Sequence, residues 1–456
     1  MKKGFLSLIA IGMMMLAAVP AAGQKAGQKG SAQKTGQKGP AQKAVTAEPQ
    51  QRDGYYKDLF MDGGCSLNSY PDLPAADWLG LTMEQLSTAP RLEMTRLDTL
   101  MQNYLLVGNR LDENGALLYP DGAPRFRVVY LNGGKALGHT KSLTAEGREH
   151  FRTFLKNGGS VVGTCAGAFM VSHGSVRDTG YVPRPNYLHL WPGWTVGTGL
   201  EKSATGMTVE PGSPLLQYYD FGGDMQIDSI RHNGGCYAYM EENVPEGTEV
   251  LMRYIGDTLK LKKSIHQQVS AWAWKESPQT GRVVVIGSHP ERMISGDRLE
   301  LMAAMIRYAL DGNGTTRLKG VLNNGEPRRM ERRTDENDPD YTCIGDRQYH
   351  HFAVDVPQGV SEITVTLNAP AKWTDRFDLW LFADGQDFAF RENARYKDVN
   401  HGTEKTLTIP VTKPGRFYIS VFCATTVDAV DTYYGVQYTG RTDVLNGVPY
   451  ILRADW

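Results

Sequence analysis

A chain of 456 residues is too long for one ordinary core, so its length predicts two domains. Hydrophobic residues at 41% allow sizeable cores. A formal net charge of −1 gives no reason to expect nucleic acid or a charged polymer as partner.

Met1-Lys2-Lys3 and the apolar run from Phe5 to Val19 read as a secretory signal peptide, residues 1–23, with Ala21, Ala22 and Gly23 at the cleavage site. A membrane anchor is the competing reading, but about 15 apolar residues are short for a span. No Cys follows the run to take a lipid, and no later stretch is long and apolar enough to cross a bilayer. The expectation is an exported protein, periplasmic or extracellular, without a stable membrane span. Residues 24–53 follow as a low-complexity basic tether, in which Gly-Gln-Lys and Ala-Gln-Lys recur. Lys25, Lys29, Lys34, Lys38 and Lys43 make it a solvated spacer or a contact for anionic surfaces.

Residues 54–314 alternate strands with helices. Tyr56 to Met61 is a strand ending at Asp62-Gly63-Gly64-Cys65, and Met94 to Leu106 has helical apolar spacing. Phe126 to Leu131 is a strand closed by Asn132-Gly133-Gly134. Thr144 to Leu155 is a helix with Thr144 as N-cap, ended by Gly158-Gly159. The strand leading to Cys165 follows, and strand, helix, strand at this spacing predicts a parallel sheet. Residues 178–275, rich in Gly and Pro and holding Tyr187, Trp191 and Trp194, read as hairpins near a cleft. Val283 to Ile286 returns to the sheet, and Asp297 to Leu310 closes the domain as a long helix. Residues 315–456 change texture. Alternating runs at 351–356, 362–367, 377–382, 406–409 and 416–422, separated by turns, predict an antiparallel β-sandwich.

The chemistry concentrates in two stretches. Gly163-Thr164-Cys165-Ala166-Gly167 lies between an apolar strand and a helix-compatible run, which places a thiol on a sharp elbow at a helix N-terminus, where thiolate is favoured. Ser288-His289-Pro290-Glu291 ends a later strand and offers an imidazole to take the thiol proton and a carboxylate to orient the imidazole. Those are the parts of nucleophilic acyl transfer. An odd count of five cysteines (Cys65, Cys165, Cys236, Cys343, Cys423) leaves at least one unpaired or intermolecular in an exported protein. All five as buried small hydrophobes is the alternative. No His or Cys pair has zinc-ligand spacing, and no Gly-rich phosphate loop precedes a helix, so no metal or cofactor is expected. Glu149-His150 and His350-His351 read as surface residues.

With Asn132-Gly133-Gly134, the Cys165 elbow, His232-Asn233-Gly234-Gly235 and Ser288-His289-Pro290-Glu291 in place, residues 54–312 resemble the class I glutamine amidotransferase-like superfamily. Within it they look closest to the amino-terminal domain of biotin–protein ligases. The resemblance implies a flavodoxin-like α/β sheet and a Cys165-His289-Glu291 triad. It does not imply biotin transfer, since it covers only that enzyme's accessory part. Gly133 and Gly134 would leave backbone N–H groups free and, with Ala166, form an oxyanion hole. His232 and Asn233 would sit on a turn facing the cleft, as substrate contacts or as an ordinary turn. Cys65 would be a pocket residue, a redox partner of Cys165, or a buried core thiol. The carboxy-terminal part resembles the bacterial pre-peptidase carboxy-terminal domain through Leu322-Asn323-Asn324-Gly325, Phe352 to Pro357, Asp378 to Leu381 and Pro414 to Ile419. It has fewer acidic residues than is usual there, so no calcium or glycan role follows.

The functional expectation is a secreted thiol hydrolase of small peptides or other exposed amides, working through an acyl-enzyme. The alternative is a non-catalytic binding protein that keeps the cleft while the sandwich contacts an envelope or polymer.

Overall fold

The computed structural model describes residues 53–62, 73–86, 113–256, 264–333, 338–432 and 435–456. The stretch read as a signal peptide, nearly all of the stretch read as a tether, Cys65 and the helix expected over Met94–Leu106 lie outside the described residues.

The amino-terminal part is built on a sheet of thirteen strands. Its first four are β1 (Lys57–Asp62), β2 (Met83–Leu86), β3 (Phe126–Leu131) and β4 (Ser160–Thr164). Then come β5 (Gly174–Arg177), β6 (Gly180–Pro183), β7 (Trp194–Gly197), β8 (Ser203–Val209) and β9 (Gln226–His232). The last are β10 (Cys236–Ala238), β11 (Glu249–Tyr254), β12 (Val269–Trp274) and β13 (Val283–Ile286). Five strands, in the order β2-β1-β3-β4-β13, are parallel. From β12 outward the sheet is mostly antiparallel, continuing through β10, β7, β5 and β6, with β11, β8 and β9 as a side branch. The expected parallel sheet is therefore the central part of a mixed sheet. The stretch read as hairpins supplies the antiparallel extension.

The parallel strands are buried on both faces, as near-continuous apolar runs such as Val-Val-Val-Ile in β13 should be. Their residues alternate between two cores. Phe60, Val129, Leu131, Val161 and Val285 face Phe151, Phe154 and Leu155 of helix α3 (Thr144–Lys156). Met61, Val128, Tyr130, Val162 and Ile286 face Leu301, Met302 and Met305 of helix α5 (Asp297–Leu310). Among the described residues the remaining α-helices are short: α1 (Pro74–Trp78), α2 (Ala136–Ser142) and α4 (Ala166–Met170). Thr144, expected as the cap before α3, is its first residue, and its Oγ1 accepts from the Gly147 N–H at 3.5 Å.

The carboxy-terminal part holds β14 (Leu318–Leu322), β15 (Arg328–Met330), β16 (Tyr349–Val356), β17 (Glu362–Asn368), β18 (Leu379–Asp384) and β19 (Tyr396–Asp398). It continues with β20 (Lys405–Pro410), β21 (Gly415–Cys423), β22 (Val427–Thr432), β23 (Gly435–Gly440) and β24 (Tyr450–Asp455). One sheet runs β14-β16-β21-β18-β19 and the other β15-β24-β17-β20. Phe352, Leu381 and Ile419 of the first share one apolar cluster with Val365, Ile409 and Leu452 of the second. One pair departs from the antiparallel expectation: β14 runs parallel to β16. His350 and His351, expected at the surface, are buried. β16 is covered on both faces, so His350 Nδ1 meets the Tyr450 hydroxyl at 2.9 Å and His351 Nδ1 meets Ser420 Oγ at 2.7 Å.

The two parts meet at the amino ends of the parallel strands. Arg125, just before β3, forms a buried pair with Asp346, its Nη2 standing 3.2 and 3.1 Å from the two carboxylate oxygens. Asp121 accepts from Lys319 at 2.6 Å and from Gln348 at 2.8 Å. A cavity of about 300 Å³ lies there between Tyr55, Asn157, Lys319 and Tyr349. It is at the opposite end of the strands from Cys165.

Candidate active site

Asp62 ends a parallel strand and Gly133, Cys165 and His289 follow the carboxyl ends of others, the edge where open α/β sheets hold ligands. Cys165 stands between β4 and α4 with φ 50° and ψ −102°. A side chain with a Cβ is strained in that backbone, by about 1–3 kcal/mol. The elbow is fixed by the Cys165 N–H donating to the Ile286 carbonyl at 2.9 Å and by its own carbonyl accepting from Phe169 at 3.3 Å. Close packing fixes the residue types around it. A Cβ at Gly167 would stand 2.3 Å from the Leu131 carbonyl oxygen, so only glycine lets α4 lie against the end of β3.

His289 lies past β13, where the chain turns aside to pair with the end of β9. Its N–H donates to the Arg231 carbonyl at 2.9 Å. Its Nδ1 is 2.8 Å from Glu291 Oε1, and Cys165 stands beside the ring, close enough to act on its charge. With Nδ1 taken by the carboxylate, the nitrogen left for the thiol is Nε2. Burial works to lower the imidazole pKa. Cys165 beside the ring, the hydrogen bond to Glu291 and the Glu291 charge together outweigh burial and push it up to about 10. Glu291 is buried, and its Oε2 has no hydrogen-bond partner. Tyr130, fully buried on β3, bonds Thr164 Oγ1 at 2.8 Å beneath the elbow.

The two glycines after β3 differ. A Cβ on Gly133 would come within 2.6 Å of His289 Cε1 and 3.5 Å of Cys165 Cβ. Its N–H, expected to be free, instead donates to Asn132 Oδ1 at 2.7 Å. Gly133 therefore supplies room and not a donor, a correction to the expected oxyanion hole. Gly134 has φ +131° and faces open space. Ala166 is the first residue of α4, so its N–H has no intrahelical acceptor.

His232 is fully buried at the end of β9, and neither ring nitrogen makes a well-formed hydrogen bond. Burial lowers its pKa to about 4, with the His289 charge acting the same way, so the ring is neutral. The ring stands on the end of β9 itself, ahead of the turn expected to carry it. Asn233, on the following turn, is exposed. Two residues that sequence reasoning missed stand at this edge. Asp62 ends β1, and its Oδ2 lies 2.9 Å from Nε2 of His139 on α2, both side chains being buried. The available signal was a carboxylate closing an otherwise apolar strand. No group of three His, Cys, Asp or Glu side chains converges as a metal site among the described residues.

Residues 121–306 match the family of the biotin-protein ligase amino-terminal domain. Among solved structures, a glutamine amidotransferase is 15% identical with a TM-score of 0.32, over 55% of this chain and 98% of that one. A ThuA-like protein from Bacteroides uniformis is 12% identical with a TM-score of 0.31, over 57% of this chain and 93% of that one. A β-galactosidase from G. stearothermophilus is 11% identical with a TM-score of 0.24, over 71% of this chain and 36% of that one. No curated protein matches the chain. Cys165, His289 and Glu291 all lie within the segment that matches the family of the biotin-protein ligase amino-terminal domain.

Proposed function

We propose that this protein is a thiol hydrolase of amide bonds, acting outside the cytoplasm on small peptides or other exposed amides. One observation carries the reading: a single imidazole, bonded to a buried carboxylate, shares the space against Gly133 with a strained, elbow-borne thiol. A raised imidazole pKa means that His289 holds a proton at neutral pH, which is the condition for a thiolate partner. The Cys165 thiolate attacks the carbonyl carbon, a C–S bond forms, and the carbonyl π electrons move to oxygen. The N–H groups of Gly134 and Ala166 face that oxyanion. His289 gives its proton to the leaving nitrogen, the C–N bond breaks, and a thioester remains. His289, now neutral, takes a proton from water, the hydroxide attacks the thioester, and the acid and thiol are released. Glu291 holds the ring in the orientation that both transfers need.

The test is iodoacetamide labelling of the full chain, read by intact mass, with Cys165→Ser and His289→Ala alongside. The expected result is fast labelling at Cys165 at neutral pH, slowed by His289→Ala. Labelling that is slow, spread over the cysteines and indifferent to His289 would sink the hydrolase reading in favour of a binding protein.

A further inference from the structure

Asp62 and His139 lie on either side of the turn that carries Gly133 and Gly134. Asp62 is the last residue of β1 and sits in register with Leu131, the last residue of β3. The turn 132–135 leaves β3 at that point and runs into α2, where the His139 N–H donates to the Lys135 carbonyl at 2.9 Å. The 2.9 Å contact between Asp62 Oδ2 and His139 Nε2 thus ties the first turn of α2 back to the neighbouring strand. Asp62 is 0% and His139 2% exposed, so water does not compete for the contact, and leaving either group unmatched is costly. α2 also packs against α4, the helix that begins at the Cys165 elbow.

We propose that Asp62 and His139 are positioning residues. Their hydrogen bond holds the Gly133–Gly134 turn at the distance from Cys165 at which the Gly134 N–H meets a developing oxyanion. The proposal rests on the thiol-hydrolase reading above. Neither residue touches the reacting atoms. The turn carries two adjacent glycines, and a Gly-Gly sequence is the least self-supporting backbone available. Contacts from outside the turn therefore help set its place, and this buried contact is one of them.

Two reactions of Cys165 separate this role from a general structural one. Alkylation by iodoacetamide displaces iodide at an sp³ carbon and forms no oxyanion. Acylation by p-nitrophenyl acetate passes through one. Both rates are measured on the full chain with Asp62→Asn, His139→Leu and His139→Gln, with Cys165→Ser as the blank. In Asp62→Asn and His139→Leu, acylation is expected to fall about tenfold or more, with alkylation within about twofold. His139→Gln keeps an N–H donor at similar reach and is expected to recover much of the acylation rate. Unchanged acylation in Asp62→Asn and His139→Leu overturns the proposal. So does a parallel fall in both rates, which would place the effect on the thiol or the fold. Wild-type protein that alkylates but never acylates at Cys165 would instead overturn the hydrolase reading, and this proposal with it.

Discussion

Gly133 and His289 approach so closely that no side chain fits between them: a Cβ at position 133 would stand 2.6 Å from His289 Cε1 and 3.3 Å from Nδ1. The atoms it would meet belong to a ring held between Glu291 and Cys165. Relief requires the ring to move, which lengthens its hydrogen bond to Glu291 or shifts it relative to Cys165. Gly133→Ala is therefore expected to lower Cys165 acylation about a hundredfold, since small misplacements of catalytic groups carry penalties of that size. The melting temperature should change little by comparison. An unaffected acylation rate in this variant would show that the ring position is not critical.

The raised pKa of His289 makes a second prediction, on stability. In the unfolded chain the imidazole loses its proton near 6.5, and in the folded chain near 10. The folded state therefore binds more protons between those values. The stabilisation is present in full below about pH 6.5 and is lost as pH rises through about 10, with a magnitude on the order of a few kcal/mol. Urea unfolding between pH 7 and 10.5 should show the wild type losing stability faster than His289→Ala. Parallel curves would mean that the imidazole is not held in its charged form.

The acid limb comes from different histidines. Burial lowers His232 to about 4, and it lowers His350 to about 4 against the opposing pull of Asp121. Unfolded imidazoles take up protons near 6.5, so here the unfolded state binds more protons. Stability is present above about pH 6.5 and is lost as pH falls through about 4, on the order of 3 kcal/mol at most for each ring. His232→Leu should flatten the acid limb, because a leucine has nothing to protonate. An acid limb as steep as that of the wild type would assign the loss to other groups.

How much of this was legible in the sequence depends on how local the signal is. Cys165, His289 and Glu291 could be read because each stands at the end of an apolar strand within a short motif, and strand ends share one edge of a parallel sheet. The helix Asp297–Leu310 could be read to the residue from its apolar spacing. The role of Gly133 could not, because the capture of its N–H by Asn132 is a matter of torsions within one turn. Nor could the burial of His350 and His351. Two adjacent polar residues look exposed unless both faces of the strand are covered, and that depends on the opposite sheet and on Phe388 and Phe390. Asp62 and His139 escaped notice because they are distant in sequence and neither lies in a recognisable motif.

The junction between the two parts supports a final prediction. Arg125 precedes β3 and Asp346 precedes β16, yet they form one ion pair with side chains 4% and 1% exposed. Tyr56, Phe60 and Phe126 from one part share an apolar cluster with Leu322, Phe352 and Leu379 from the other. The guanidinium also lies over the Tyr56 ring, 4.6 Å from its centroid, so it is held by packing as well as by charge. Asp346→Ala removes the carboxylate and leaves a buried cation facing an apolar gap, which costs about 3–5 kcal/mol for a pair of this kind. Because the pair sits at the base of β3, both parts should lose stability together. A single cooperative unfolding transition shifted to lower urea is the expected outcome by tryptophan fluorescence and far-ultraviolet circular dichroism. Two separated transitions, with only one of them shifted, would mean that the carboxy-terminal sheets fold independently of the amino-terminal part.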